Sequence, residues 1–209
     1  MKPQVLIACE YSGRVRDAFA AMGCDSWSCD LLPSESPGNH IQGDAIAAIN
    51  SRQWDLVIAH PPCTYLCNSG VRWLVPGGAL NTERHRLMVE GCDFFATLYA
   101  ADCPRVCIEN PVMHKYARNY LRETWRCLRH DARPTQTFQP WQHGDGETKR
   151  TCLWLRGLPL LVPTNVVPGR KASVHFASPG PNRWKERSRT FPGIARAFAT
   201  QWAPLLFNS

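Results

Sequence analysis

Two chemistry-bearing side chains stand out by position. Cys63 closes the string His60-Pro61-Pro62-Cys63 directly after the apolar run Leu56-Val57-Ile58-Ala59, and Glu109 opens Glu109-Asn110-Pro111 directly after Val106-Cys107-Ile108. Each short apolar run has the character of a buried strand, so each reactive group is expected at a strand's end. A thiolate can add to an electron-poor ring carbon while a carboxyl group protonates a ring nitrogen, which makes a pyrimidine reactive toward an electrophile. The Pro61-Pro62 pair restricts the backbone that leads to the thiol and lowers the entropy lost in placing it.

The flanking pattern is one of alternating strands and helices. Val5-Leu6-Ile7-Ala8-Cys9 reads as a strand, Ser12-Gly13 as a tight turn, and Val15, Ala18, Phe19 and Met22 as one face of a helix that Gly23 stops. A second strand over Ser26-Trp27-Ser28-Cys29 ends at Asp30, residues 32–39 form a Pro, Ser and Gly-rich loop, and a short helix over 45–50 follows Gly43-Asp44. Next come a strand over 55–59, a long loop over 61–78, a helix over 81–101 and a strand over 105–108. A basic helical segment then runs to about residue 130, strand-like stretches over 135–141 and 151–155 suggest an antiparallel closing pair, and a last helix covers 194–202. This alternation predicts a doubly wound, Rossmann-like α/β fold with a mostly parallel sheet, helices on both faces and an antiparallel closing hairpin.

The 209 residues, 44% of them hydrophobic, suffice for one substantial core, and a single domain over 1–209 is expected. No stretch approaches the roughly 20 apolar residues that cross a bilayer. The start Met1-Lys2-Pro3-Gln4 leads into a strand rather than a signal peptide, so a soluble, cytoplasmic protein without a membrane partner is expected. A net charge of +7 and a pI near 9.0 permit a polyanionic partner. The ten cysteines read as free thiols of a reducing compartment, and no zinc site is expected, because Cys63/Cys67 and Cys103/Cys107 lack a partner pair at zinc-ligand spacing.

In order, Ser12-Gly13, Asp30, Gly43-Asp44, Pro61-Pro62-Cys63 and Glu109-Asn110-Pro111 resemble the motifs of the cytosine-5 DNA methyltransferase family, over about residues 5–111 and more weakly over 149–199. The resemblance implies the class I S-adenosylmethionine-dependent methyltransferase fold, with ligands at the carboxyl ends of the strands. It implies transfer of a methyl or related one-carbon-derived group to carbon 5 of cytosine through a covalent cysteine adduct. Cys63 would attack carbon 6, Glu109 would serve ring nitrogen 3, and Asn110 would orient the Cys63 loop. Glu10, Tyr11, Ser12, Gly13 and Pro61 would lie against S-adenosylmethionine, with Asp30 on the ribose hydroxyls and Asp44 on the adenine amine; Asp44 as a plain helix cap is the alternative. Pro62 would border the base. Arg150, with Lys149 behind it, would contact base and phosphates, although both also fit ordinary surface cations. Phe191-Pro192-Gly193-Ile194-Ala195-Arg196-Ala197-Phe198-Ala199 resembles the family's last motif, a helix returning to the cofactor pocket.

The chain departs from the family in three places. The first turn has one glycine where several are usual and adds Glu10, Arg14 and Arg16; exposed arginines there could pair with an extra carboxylate on a modified sulfonium donor. His60 stands where a small residue is more usual and carries no expected role. The large target-recognition region is replaced by an irregular basic segment over 157–189, whose Trp184 and Arg187, among its other cations, would stack on a base and hold a phosphate. A compact, phage-like enzyme of loose sequence dependence is therefore expected, acting on single-stranded or transiently opened DNA in a bacterial or phage-infected cell. An RNA or free pyrimidine nucleotide substrate, or a catalytically silent nucleic-acid-binding relative, are the alternatives. An adenine amino methyltransferase is disfavoured by Cys63, which occupies the place of that family's stacking ring.

Overall fold

The computed structural model describes residues 1–128, 132–176, 178–181 and 183–207. Its centre is a seven-stranded sheet of β1 (Gln4–Ala8), β2 (Asp25–Asp30), β3 (His40–Gln42), β4 (Leu56–Ala59), β5 (Val106–Pro111), β6 (Gln136–Phe138) and β7 (Thr151–Arg156) in the order β3-β2-β1-β4-β5-β7-β6. β3, β2, β1, β4 and β5 are parallel neighbours, whereas β7 runs antiparallel to β5 and to β6. The expected parallel sheet with an antiparallel closing pair is thus the observed architecture.

Helices cover both faces. α1 (Arg14–Ala21) and α6 (Pro192–Leu206) pack together on one, where Val15, Phe19, Phe198 and Trp202 meet Val5, Ile7, Leu56, Ile58 and Cys107. α2 (Ala45–Asn50), α3 (Thr82–Tyr99) and α4 (Lys115–Thr124) cover the other, where Phe95 and Leu121 meet Leu6, Val57, Val106 and Ile108. Alternate residues of β4 and β5 therefore belong to opposite layers, and burial on both sides explains why these strands are continuously apolar rather than alternating. Asp44 and Asn81 start α2 and α3 by accepting from Ala47 N (2.8 Å) and Arg84 N (2.9 Å).

Several expected boundaries shift. β5 continues past the apolar run to Pro111, because Glu109, Asn110 and Pro111 stay paired with Leu153, Cys152 and Thr151. Glu109 consequently lies inside the strand's last turn of pleat rather than after it. β3 is too short to leave a periodic signal. The basic helix ends at Thr124 and is followed by a 3₁₀ turn, Arg126–Leu128; its expected end near residue 130 lies outside the described residues. The segment 157–189 is not wholly irregular, since it holds a short helix, α5 (Arg183–Ser188). Among the described residues no helix is long and apolar enough to cross a membrane.

Candidate active site

The parallel register brings the two reactive strings together. Val57, Ile58 and Ala59 of β4 stand beside Val106, Cys107 and Ile108 of β5, so the next residues, His60 and Glu109, are neighbours. His60 Nδ1 lies 3.0 Å from Glu109 Oε2, and the two side chains are only 9% and 13% exposed. The pairing then continues into the loop: Asn110 Nδ2 donates to the Pro61 carbonyl (2.9 Å), and His114 Nε2 to that of Tyr65 (2.9 Å). His114 Nδ1 accepts from Ala117 N (3.1 Å) and so caps α4, which assigns the ring proton to Nε2. One side chain therefore ties the loop to a rigid helix start.

Cys63 sits at the head of a single helical turn, its carbonyl accepting from Leu66 N (3.0 Å) and Cys67 N (3.1 Å). That turn sets the thiols of Cys63 and Cys67 side by side. The Cys63 thiol is pushed up, first by its hydrogen bond with Cys67 and then by burial, with Lys149 pulling the other way. Cys67 is held low by that same bond, and the Ser69 hydroxyl (3.0 Å) and the backbone N–H groups of Ser69 and Gly70 add to the effect against burial. In the hydrogen bond between them Cys63 is therefore the donor, and Cys67 is the more acidic of the two.

Burial pushes the Glu109 carboxyl up, but the hydrogen bond from His60 and the charges of Lys149 and His60 outweigh it, so Glu109 is held below the usual carboxylate range. Lys149 and Glu109 line one small enclosed pocket with Thr151, Thr190, Phe191 and Ile194. Arg150, in contrast, is exposed. Of these two cations it is Lys149 that faces the carboxylate. Strand alternation could have suggested one or the other, but only with β7's register known.

The turn after β1 gathers the first group of expected residues. Gly13 caps α1 in the left-handed region (φ 73°), and a Cβ there would fall 2.3 Å from Ser36 Oγ. Glu10 is buried, and its carboxylate accepts from Val15 N (2.8 Å), Arg16 N (3.2 Å) and the Ser12 hydroxyl (3.1 Å). It caps α1 from within, with its charge at the positive end of the helix. Asp30 and Asp44 both raise the Cys9 thiol, after burial itself, and so lie on the same side of the end of β1. Each spends one oxygen locally, on Leu32 N (3.0 Å) and Ala47 N (2.8 Å).

Arg16 corrects an expectation. It is 1% exposed rather than solvated, and its guanidinium is engaged by Asp17, the hydroxyls of Ser28, Ser34 and Ser36, and the Pro37 carbonyl. Arg14 donates to the Thr190 carbonyl (2.8 Å). Arg16 has no arm left for a donor's extra carboxylate.

α5 lies over this turn. The Tyr11 hydroxyl donates to the Lys185 carbonyl (3.0 Å), its ring meets Trp184 at 6.3 Å, and Lys149 Nζ donates to the Arg187 carbonyl (3.2 Å). A two-pronged pair of Arg189 with Glu35 (2.9 and 2.6 Å) anchors the segment's end. Trp184 remains 54% exposed. On the other side of the Cys63 loop, Tyr65, Trp73, Pro76, Asn81, Glu83, Arg84 and Leu87 line an open groove of about 510 Å³. There Arg84 lies 5.0 Å over Tyr65, Arg72 lies 4.7 Å over Trp73, and Trp73 is 53% exposed. Sequence reasoning passed over this groove because its rings and cations are scattered through a loop without periodicity.

No family model matches the chain, and no curated protein matches it by sequence. Among solved structures it is similar to a candidate DNA modification methyltransferase encoded within a prophage (E. coli), with a TM-score of 0.51 and 13% identity over 80% of this chain. The chain spans about half the length of that protein, 52% of it. Lower similarities reach the bifunctional kinase-methyltransferase WbdD (TM-score 0.40, 13% identity, 78% of this chain and 36% of that one) and the 16S rRNA methylase RmtB (0.34, 14%, 74% and 55%). With the strand order above, the likeness to the prophage protein identifies the fold as that of the class I methyltransferases.

Proposed function

We propose that this chain transfers a methyl or related one-carbon-derived group from S-adenosylmethionine to carbon 5 of cytosine in DNA, through a covalent adduct on Cys63. The observation that carries the reading is the Asn110–Pro61 bond, which fixes the Cys63 loop against the strand bearing Glu109. A nucleophile and an acid held on adjacent strand ends are what a ring-addition reaction requires.

The site has room for the donor in chemical terms. Asp30 and Asp44 each keep one carboxylate oxygen beyond their local bonds to Leu32 N and Ala47 N, acceptors suited to ribose hydroxyls and an amine. Gly13 lets the turn after β1 close against Ser36 and Arg16, beside the sheet's switch point between β1 and β4 where ligands of such sheets bind. When bound, the donor supplies an electrophilic methyl group.

Cys63 gives up its proton to solvent water and its thiolate forms the bond to carbon 6. Glu109 gives a proton to nitrogen 3, so carbon 5 becomes the nucleophile. Lys149 favours both the Cys63 thiolate and the Glu109 carboxylate. Asn110 and His114 hold the loop, and Pro62 presents a rigid wall to the base. The groove of Tyr65, Trp73 and Arg84 fits the flanking unpaired strand, with rings for bases and cations for phosphates. Trp184 and Arg187 on α5, and the exposed Arg150, fit the opposite flank.

The test is mass spectrometry of nucleosides from single-stranded and duplex DNA incubated with protein and S-adenosylmethionine. A carbon-5-modified cytosine that is absent with Cys63→Ala is the expected result. No product on either DNA, with product on RNA or free deoxycytidine monophosphate, would reassign the substrate.

A further inference from the structure

His60, its side chain 9% exposed, is a largely enclosed polar group for which the proposed reaction so far has no use. Its Nδ1 meets Glu109 Oε2 at 3.0 Å, which assigns the shared proton to Nδ1 because a carboxylate only accepts. Its other nitrogen, Nε2, is buried with no hydrogen-bond partner among the described residues. A histidine kept only for packing would have both nitrogens satisfied or be replaced by an apolar residue, since an orphaned buried nitrogen is costly. The register of β4 and β5 fixes the contact, so it does not depend on a mobile loop.

The chemistry poses a supply problem at this point. Glu109 must deliver a proton to nitrogen 3, yet the same residues that position it keep it ionised. Resting on the cytosine reading above, we propose that His60 is the positioning and proton-relay residue of this site, storing on its imidazole the proton that Glu109 passes to the ring.

As the Cys63 sulfur bonds to carbon 6, the carbon 5–carbon 6 π pair moves to carbon 4–carbon 5. The carbon 4–nitrogen 3 pair moves onto nitrogen 3, which takes the proton from Glu109. His60 Nδ1 replaces that proton and the imidazolium becomes neutral. After carbon 5 has gained its substituent it loses its proton to solvent water, the freed pair forms the carbon 5–carbon 6 double bond as the carbon–sulfur bond breaks and the thiolate leaves, and nitrogen 3 returns its proton through Glu109 to His60. One proton goes out and comes back, with no further reactant. The other groups around the carboxylate are Lys149 before β7, Cys63 in the loop, Cys107 within β5 and Cys152 on β7. Lys149 is already committed to the Arg187 carbonyl, and the buried Cys107 and Cys152 thiols are pushed up, first by desolvation.

Two measurements test this. In single-turnover methylation, His60→Ala and His60→Asn should lose about a hundredfold near pH 8 but much less toward about pH 4.5, where solvent begins to protonate Glu109 directly. The falling limb of the profile should move toward the carboxylate range, with little change in KM for DNA. Asparagine keeps an N–H for Glu109 but no ionisable proton. Recovery of the wild-type profile by His60→Asn, or an equal loss at every pH, would overturn the relay. Independently, ¹⁵N-detected titration of the wild-type imidazoles should show one His resonance whose midpoint falls in Glu109→Gln. An unchanged midpoint overturns the shared proton. A wild-type protein that makes no modified cytosine but shows this coupled titration would refute the cytosine reading and leave the His60–Glu109 pair standing.

Discussion

Asn110 and Pro61 are joined at the same 49-residue separation as His60 and Glu109, and as Tyr65 and His114. A constant offset is the mark of parallel pairing. The register of β4 and β5 is thus carried beyond the sheet, and the Cys63 loop is an extension of that pairing rather than an independent excursion.

The first expectation follows from this tie. Asn110→Ala leaves the Pro61 carbonyl buried without a donor and should cost about 1–3 kcal/mol of stability, read as a lower Tm. Because an ångström of misplacement can cost about a hundredfold in rate, the methylation rate should fall by about that factor while cofactor affinity is nearly kept.

Cys63→Ser and Cys63→Ala should fold normally and make no product. DNA containing 5-fluorocytosine should trap the wild-type protein as a denaturant-stable adduct, since fluorine cannot leave as the ring proton does, and mobility on a denaturing gel reads this directly. A trapped adduct with Cys63→Ala would move the nucleophile to Cys67.

Lys149 lowers both Cys63 and Glu109, so Lys149→Met should raise both. The sign is opposite for the two roles: the thiolate becomes scarcer, and the protonated carboxyl becomes more common. The rate of adduct formation should therefore fall by about tenfold near pH 7, for roughly 1.4 kcal/mol lost, and recover as pH rises. Arg150→Met, which removes an exposed cation, should change this profile little but should weaken DNA binding in low salt.

The Arg189–Glu35 pair holds the end of the α5 segment. Arg189, through its hydrogen bond, keeps the Glu35 carboxyl below its ordinary value despite some burial. A depressed carboxyl stabilises above the unfolded value of about 4.3, and this contribution fades as pH falls through the folded value. With both partners near the surface it is worth about 0.2–1 kcal/mol. Glu35→Gln should hasten tryptic cleavage within 183–189 at neutral pH and make little difference at about pH 3.

Trp73→Ala should reduce affinity for a single-stranded oligonucleotide by about tenfold, within the roughly 1–3 kcal/mol that stacking on one base supplies. Arg84→Ala should flatten the salt dependence by about 0.7 for each phosphate that the guanidinium neutralises. Fluorescence anisotropy without cofactor measures both; unchanged affinity in both variants would remove the groove from the substrate path.

The sequence alone determined the succession of strands and helices apart from the short β3 and α5, the Asp44 cap of α2, and the placement of Cys63 and Glu109 directly after buried apolar runs. These are local properties, written in apolar periodicity, turn residues and caps within a few positions of one another. What only the tertiary structure decided lies between residues far apart in the chain. His60 acquired a partner because β4 and β5 align in parallel, Lys149 rather than Arg150 faced the carboxylate because β7 enters in antiparallel register, and Arg16 was buried because the 31–39 loop folds back over α1. Local pattern cannot encode such contacts, since the side chains that satisfy them are chosen by strand register and layer packing, not by their neighbours in sequence.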